Sequence, residues 1–204
     1  MVTAEQAELF ARCMGVGGVA VFPADTVYGL ACEPDTPEAV RRLAGLKGRS
    51  LDKPAAVMFF DLGLAIAALP ELGGRTRGAV ERLLPGGVTL LLPNPLRRFP
   101  LACGPSPEVL GLRVPALGDA LAPLGALRWP VLQSSANRAG GPDARTPDAV
   151  PEAIRAGADL VLDGGKLAGT PSTVVDLSRY ETTGAWRVLR EGAVASATVA
   201  DALD

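Results

Sequence analysis

The chain contains no histidine. This absence excludes the Ser-His-Asp triad, the Cys-His pair and most zinc sites, because each of them depends on an imidazole. Any catalysis must therefore rely on the hydroxyls, amides, carboxylates and cations that the sequence retains.

Cysteine is scarce as well, and the three present are Cys13, Cys32 and Cys103. Their odd number and wide spacing argue against a disulfide framework and a metal knuckle, so a reducing cytoplasm is the expected compartment. Long apolar runs are also missing, since Pro, Gly or charge interrupts each one before it reaches the length of a membrane span. The stretch Met1–Glu5 does not resemble a signal peptide, and no membrane association is expected.

Lysine and the aromatic residues are similarly sparse. Lysine accounts for three of the 20 cationic residues, and two of the three, Lys47 and Lys53, fall in one predicted loop. The formal net charge is −2 and aromatic residues make up 4% of the chain. We therefore expect neither a strong electrostatic attraction to nucleic acid nor a platform of rings on which bases stack.

What the chain does contain indicates a globular fold. Its 204 residues are 48% hydrophobic, with a mean hydropathy of +0.25, which suffices for one domain with a real core. Short apolar strands mix irregularly with amphipathic helices, so we predict an α/β fold with a twisted, mostly mixed open sheet flanked by helices, in a single domain over residues 1–204. The predicted strands are Val19–Phe22, Ala55–Phe60, Val88–Pro93, Leu110–Pro115, Val131–Ser134, Leu160–Leu162, Thr173–Leu177 and Trp186–Leu189.

Helix starts are marked by capping signals. Thr3 and Gln6 form a possible capping box, and Thr36-Pro37 combines an N-cap residue with a proline at the first helical position. Further helices are predicted over Leu62–Leu69, Arg77–Leu84 and Leu117–Leu124.

Three polar loops follow predicted elements of this sheet. They are Pro23–Leu30, the Lys47-Gly48-Arg49 loop with Lys53-Pro54, and Ser134–Gly141. In open α/β sheets, ligands bind in the crevice beyond strand ends. The three loops together therefore predict one composite pocket for an anionic ligand.

Each loop taken alone also has a simpler interpretation. Lys47-Gly48-Arg49 is typical of a helix C-terminus, where cations face the negative end of the dipole and Gly caps the helix. Ser134–Asn137 is typical of a turn that ends a strand. Arg113 in its apolar strand is either a snorkelling edge residue or a carboxylate-binding group.

The usual nucleotide-binding fingerprints are missing. There is no Walker A loop, and the glycines of Gly15–Gly18 precede their strand, which is the wrong order for a dinucleotide fold. No carboxylate cluster has metal-ligand spacing. We expect no protein-bound metal or organic cofactor, and any Mg²⁺ should arrive with a nucleotide.

The order of the polar clusters resembles that of the YrdC family, the threonylcarbamoyl-AMP synthases of tRNA modification. The resemblance covers about residues 5 to 194, and an additional C-terminal domain, found in longer members, is not expected. The matching segments are Pro23–Leu30, the Lys47/Arg49/Lys53-Pro54 loop, Leu84–Thr89, Leu112–Pro115, Ser135–Gly140, Ser172–Asp176 and Leu189–Gly192.

The resemblance implies an enzyme that joins L-threonine, bicarbonate or carbon dioxide, and ATP into threonylcarbamoyl-AMP, with release of pyrophosphate. It also implies possible downstream partners, the enzymes that transfer the threonylcarbamoyl group to tRNA. Positioning and charge stabilisation would supply most of the catalysis, which a chain without histidine can provide.

The resemblance further implies residue roles, with Lys47 and Arg49 as the catalytic cations. The implied contacts to threonine are Thr26, Tyr28, Arg113 (to the carboxylate), Ser135 and Ser172. The implied contacts to ATP are Lys47, Arg49, Lys53, Asn137, Arg145 and Arg190.

The chain departs from the family pattern at Ala24, Ser50, Ala55, Val109 and, above all, Met58. Met58 replaces a histidine that is common near the threonine. We expect Met58 to face the amino-acid pocket, on the same side of its strand as Ala56 and Phe60, and Met58→His to be tolerated. Two alternatives stay open: a paralogue acting on another amino acid or acyl-adenylate, and an RNA- or ribosome-binding module.

Overall fold

The computed structural model describes residues 1–203 and places nine strands in one sheet. The strand order is β7-β1-β2-β6-β3-β5-β4-β8-β9. The strands are β1 (Val19–Pro23), β2 (Tyr28–Cys32), β3 (Ala56–Met58), β4 (Val88–Pro93), β5 (Val109–Arg113), β6 (Val131–Ser135), β7 (Leu160–Val161), β8 (Thr173–Asp176) and β9 (Arg187–Arg190).

The sheet mixes parallel and antiparallel neighbours, as predicted. The pairs β1–β7, β3–β5 and β4–β8 are parallel. The other five neighbouring pairs are antiparallel. The predicted fold class, a single α/β domain around a mixed sheet, is therefore confirmed.

Eight α-helices surround the sheet within the described range. No helix there combines the length and apolar character needed to cross a membrane. The helices are α1 (Ala4–Gly15), α2 (Pro37–Lys47), α3 (Leu62–Ala68), α4 (Gly74–Leu83), α5 (Pro100–Cys103), α6 (Glu152–Gly157), α7 (Tyr180–Thr183) and α8 (Ser196–Leu203).

Local signals explain several of these boundaries. Thr3 and Gln6 form the predicted capping box at the start of α1. Thr36 precedes α2, although its side chain makes no capping hydrogen bond. Gly48 ends α2 with a φ of 60°, a left-handed conformation that glycine adopts without strain.

Other elements differ from the prediction. The last three residues of the predicted ligand loop Pro23–Leu30 belong instead to β2, the second strand of a hairpin with β1. The polar residues before it form the hairpin turn, which Ala24 and Val27 close through a backbone hydrogen bond of 3.3 Å. A 3-10 turn over Ala122–Ala126 replaces the predicted helix Leu117–Leu124, because Pro123 lacks the N–H that a continuous helix needs.

The two faces of the sheet are covered unequally. One face, called here the helix-covered face, carries apolar residues such as Leu30, Val57 and Leu112, which pack in one cluster with residues of α2, α3, α4 and α8. The opposite face is covered at one end only, where Phe10 of α1 packs on Phe22 and Phe60 at ring-centroid distances of 5.2 and 6.0 Å.

The rest of that second face, called here the cavity face, carries small or polar side chains. Gln133, Ala56, Gly111 and Leu91 lie side by side in one row across β6, β3, β5 and β4. Register partners project to the same side of a sheet, so this row forms part of one surface. Few apolar side chains are present there for a helix to pack on.

Met58 lies on the cavity face but does not reach the cavity. Its register partner is Arg113, as expected for the predicted facing. However, Met58 is fully buried in the apolar cluster of Phe10, Phe22 and Phe60, and it does not line the cavity. The prediction that Met58 contacts the amino-acid pocket is wrong, because α1 and the 3-10 turn cover this end of the face.

Met58→His should consequently destabilise the protein rather than be tolerated. Burying an imidazole among phenylalanine rings leaves its polar atoms without partners, at a cost of about 2–4 kcal/mol. Urea unfolding measures this loss. Met58→Leu is the matched control and should cost less than about 1.5 kcal/mol, because it keeps the volume and the apolar character. Equal stability of Met58→His and the wild type would contradict the packing described here.

Candidate active site

A cavity of about 620 Å³ lies over the uncovered part of the cavity face. Strands β6, β3, β5 and β4 form its floor, and β8 and β9 form one wall. The small residues Ala56 and Gly111 lie on its floor. A Cβ at Gly111 would lie 3.2 Å from the Ala55 carbonyl oxygen, so a larger residue there would crowd the neighbouring strand. Most of the positive charge of the cavity comes from three arginines that were also predicted from the sequence, Arg49, Arg113 and Arg190.

Arg113 is a buried cation at the end of β5. Its Nη2 donates to the Asp25 carboxylate at 2.5 Å and to the Thr26 hydroxyl at 3.4 Å. Asp25 also accepts the backbone N–H of Ala116 at 3.1 Å, so the carboxylate is fixed on two sides. The side chains of Arg113 and Asp25 are 3% and 8% exposed, which makes this a buried ion pair.

The pair leaves Arg113 with unused hydrogen-bonding capacity. Its Nε is buried and has no partner among the described residues. Burial lowers the pKa of the Arg113 guanidinium and the charge of Arg190 acts in the same direction, whereas Asp25 opposes both. An arginine keeps its proton even so. Arg113 is therefore a fixed positive charge able to bind an anion in the cavity.

Arg49 is fixed at a different edge of the cavity, just beyond the end of α2. Its Nη1 donates to the Ser134 hydroxyl at 2.8 Å, and its Nη2 donates to the Pro54 carbonyl oxygen. Burial lowers the pKa of Arg49. These bonds anchor the guanidinium beside the end of β6, where it lines the cavity.

Lys47 is buried and organises the loop that follows β6. Its Nζ donates to the Ser135 carbonyl oxygen, and to the carbonyl oxygen and Oδ1 of Asn137 at 2.9 Å each. All three ammonium protons are thus used. Burial and, to a smaller extent, Arg49 lower the pKa of Lys47 to about 8. At neutral pH the charged lysine therefore holds the Ser135–Asn137 backbone in place.

Asn137 completes this loop. Its Oδ1 also accepts from the Ser135 hydroxyl at 2.7 Å, and its Nδ2 donates to the Gly141 carbonyl oxygen at 2.6 Å and to Asp143 at 3.3 Å. Both ends of the Asn137 carboxamide are occupied. The side chain acts as a brace beneath Ser135, which itself lines the cavity.

A second polar network forms the wall at β8 and β9. Arg190 donates through Nη2 to the carbonyl oxygen and hydroxyl of Ser172 at 2.8 and 3.3 Å. The Ser172 hydroxyl lies 2.8 Å from that of Thr89. Asp176 and Arg187 form an ion pair of 3.1 Å further along this wall. The wall thus presents hydroxyls and cations to the cavity.

The structure brings together five of the residues predicted from the sequence as cavity-lining groups. They are Arg49, Arg113, Ser135, Ser172 and Arg190. Three more lie directly behind them: Thr26 touches Arg113, and Lys47 and Asn137 support Ser135. Their contacts with a ligand stay predictions.

Three predicted residues lie elsewhere. Tyr28 is fully buried on the helix-covered face, where its hydroxyl donates to the Gly165 carbonyl oxygen at 2.7 Å, so a direct contact with substrate is contradicted. The error arose because Tyr28 was placed in a loop rather than in β2. Lys53 is exposed and Arg145 bonds the Leu167 carbonyl oxygen at 3.3 Å, and neither lines the cavity.

Four residues at the site are not among those predicted from the sequence. Thr89, Gln133 and Asp143 line the cavity, and Asp25 holds Arg113. Asp25 lies inside the predicted ligand loop Pro23–Leu30, and a carboxylate within such a loop is a usable sequence signal. Nothing in the sequence indicates that the side chains of Thr89, Gln133 and Asp143 face the cavity.

The described residues 1–203 include no group of three or more Cys, Asp or Glu side chains placed to hold a metal ion. Besides the carboxylates of Asp143 and Asp176, the cavity lining offers fixed cations, hydroxyls and amides. Such groups bind phosphates and carboxylates through charge-assisted hydrogen bonds. Together, fold and site define an α/β domain with a cation-lined cavity on one face of its sheet.

The chain belongs to the Sua5/YciO/YrdC family, whose model, described as telomere recombination, matches residues 12–192. The family resemblance predicted from the motifs is thereby confirmed. A relative from Nitrosococcus oceani, named threonylcarbamoyl-AMP synthase, is 36% identical over 170 residues, which cover 82% of this chain and 91% of that protein. A relative of the same name from Chromobacterium violaceum is 34% identical over 79% of this chain and 83% of that protein.

Solved structures show the same fold. Sua5 of Pyrococcus abyssi complexed with L-threonine superposes with a TM-score of 0.82 at 25% identity, over all of this chain and 58% of that one. This chain thus spans about three fifths of the archaeal Sua5. Escherichia coli YciO superposes with a TM-score of 0.81 at 24% identity, over 98% of this chain and 95% of that one, and so supports the fold.

Asp25→Asn should destabilise the protein strongly, because it leaves the buried Arg113 without a counter-charge. Removing one partner of a buried pair costs about 3–5 kcal/mol. Chemical denaturation measures the change. Asp148→Asn, which removes the partner of Arg155 in a pair where Asp148 is 94% exposed, is the control and should have no measurable effect.

A double variant tests the cause of that loss. Asp25→Leu combined with Arg113→Met removes both charges, so it should recover much of the stability lost in Asp25→Asn. If Asp25→Asn unfolds at the same denaturant concentration as the wild type, Arg113 is not held in the way described.

Proposed function

We propose that this chain is a threonylcarbamoyl-AMP synthase, a nucleotidyltransferase that uses L-threonine, bicarbonate or carbon dioxide, and ATP. The observation that carries the proposal is the placement of two fixed arginines, Arg113 and Arg49, at separate positions of one cavity. The substrates bear anionic groups at separate positions, a carboxylate and a triphosphate. The relatives that match most of the chain carry the name of this activity.

In the proposed mechanism, Arg113 binds the threonine carboxylate. Arg49 and Arg190 bind phosphate oxygens of ATP, with a magnesium ion arriving as part of the nucleotide substrate. The threonine amine adds to carbon dioxide and loses a proton, which gives a carbamate. A carbamate oxygen then attacks the α-phosphorus, the bond to the bridging oxygen breaks, and pyrophosphate leaves with that bonding pair.

The chain contributes orientation and charge to these steps. Arg49 faces the charge that develops at the α-phosphate during transfer, and such preorganised cations lower the barrier. Lys47 acts on the substrates through the Ser135–Asn137 loop. Ser172 and Thr26 supply hydroxyls near Arg113 and Arg190 for the threonine side chain.

The remaining assignments belong to the same proposal. Lys53 is exposed, and it would approach the ATP phosphates by movement of its loop. Arg145 would contact the nucleotide beyond the cavity rim. A cytoplasmic location, with tRNA threonylcarbamoyl-transfer enzymes as downstream partners, completes the proposal. The RNA-binding alternative is not favoured, since the net charge is −2.

Pyrophosphate release should require threonine. The protein is incubated with ATP, magnesium, bicarbonate and a panel of amino acids, and pyrophosphate is measured by a coupled assay. Serine lacks the threonine methyl, so it should be used about 10- to 200-fold less efficiently. Equal turnover with serine or with another amino acid would contradict the threonine assignment and favour a paralogous activity.

Activity should fall as the pH rises through about 8, the pKa of Lys47. Below this pH the ammonium donates three hydrogen bonds to the Ser135–Asn137 loop; above it, the neutral amine has only two N–H groups. The measurement is kcat/KM against pH for the wild type and Lys47→Arg, whose guanidinium does not titrate in this range.

Free substrates titrate identically with both proteins, so the difference between the two profiles isolates Lys47. Lys166→Arg, at an exposed site, is the control and should keep the wild-type profile. Superimposable profiles for the wild type and Lys47→Arg would show that the titration of Lys47 does not limit activity.

A further inference from the structure

Gln133 is a buried amide on the cavity floor, in β6. Its side chain is 95% buried, and it lines the cavity. Its backbone pairs with β2 and β3, at Ala31 and Ala56, but its carboxamide makes no hydrogen bond to any residue within 1–203. The other buried amide at this site, Asn137, is bonded at both ends.

The surrounding sequence makes room for this side chain. A Cβ on Gly29 would lie 2.9 Å from the Gln133 Nε2, so glycine at that position is required for the amide to lie where it does. The neighbours of Gln133 in its row are the small residues Ala31, Ala56 and Gly111. The space above the amide is therefore open to a ligand.

The carboxamide has no protein partner, and it lines the cavity rather than being sealed from it. Its hydrogen-bonding groups are therefore available to a molecule in the cavity. A free amide in this position indicates a ligand that forms hydrogen bonds with it.

The position of Gln133 identifies the part of the ligand it meets. Arg49 is bonded to Ser134, the next residue along β6. Arg113 lies in β5, which is separated from β6 by β3. Gly111 of β5 shares a row with Gln133, and Arg113 follows Gly111 by two residues. Gln133 therefore lies between the cation assigned to phosphate and the cation assigned to the threonine carboxylate.

We propose that the Gln133 carboxamide binds the carbamate group that links threonine to the α-phosphate, and so determines specificity for the carboxylated amine. This inference rests on the proposed function. A carbamate has two oxygens, one of which attacks phosphorus. The Gln133 Nε2 donates to the other, which holds the planar group in one orientation beside the phosphate.

Gln133→Met removes the amide and keeps the size of the side chain. Loss of a hydrogen bond to a charged group lowers kcat/KM for bicarbonate about 10- to 100-fold. The dissociation constants of threonine alone and of ATP alone, measured by calorimetry, stay unchanged. Melting temperature does not fall, because the amide has no bond to lose within the protein. Gln6→Met, at the other glutamine of the chain, keeps wild-type kinetics.

Two results overturn the assignment of Gln133. One is unchanged kcat/KM in Gln133→Met. The other is a threonine dissociation constant that rises as much as kcat/KM falls, which would place Gln133 on threonine itself. The proposed function fails separately, if the wild type releases no pyrophosphate in the presence of threonine.

Nuclear magnetic resonance gives a readout that does not depend on turnover. The chain has only four carboxamide side chains, Gln6, Asn94, Gln133 and Asn137, so their ¹⁵N–¹H signals are assignable by substitution. The Gln133 signal shifts when L-threonine and bicarbonate are added together and not with either alone, while that of Asn94 stays in place. A Gln133 signal that does not move, or that moves with threonine alone, overturns the proposal.

Discussion

Apolar side chains cover one end of the cavity face and leave the rest uncovered, and the site depends on this constraint. At one end of the cavity face, the rings of Phe10, Phe22 and Phe60 attach α1 to the strands. Towards the other end of this face lie small residues such as Ala56 and Gly111, which offer a helix little apolar surface to pack on. The opposite face carries a continuous core, so the domain stays stable while the cavity stays open.

This arrangement places charged groups where water is scarce. Arg113 is buried because it belongs to a strand in the middle of the sheet, and Asp25 from the β1–β2 turn supplies its counter-charge. Arg113 lines the cavity while this pair holds it in place. Electrostatic interactions in such surroundings are stronger than in water, and the groups need no reorganisation when substrate arrives. Lys47 serves the neighbouring loop in a comparable way.

Much of the fold and part of the site could be predicted from the sequence. Short apolar runs located eight of the strands, and polar residues at strand ends located Arg49, Arg113, Ser135, Ser172 and Arg190. The motif order gave the family. β2 was missed because the polar hairpin turn before it was assigned to a ligand loop, and the error for Tyr28 followed. The surroundings of Met58 and Gln133 could not be predicted, because they depend on which helices cover each face of the sheet. That cover is a property of tertiary packing.

The location of the threonine carboxylate is the most direct test of this account. A crystal structure of the protein with L-threonine and a non-hydrolysable ATP analogue would measure it. We expect the carboxylate within hydrogen-bond distance of the Arg113 guanidinium, with the phosphates beside Arg49. A carboxylate bound to Arg49 or Arg190 instead, or threonine outside the cavity over β6, β3 and β5, would contradict the account.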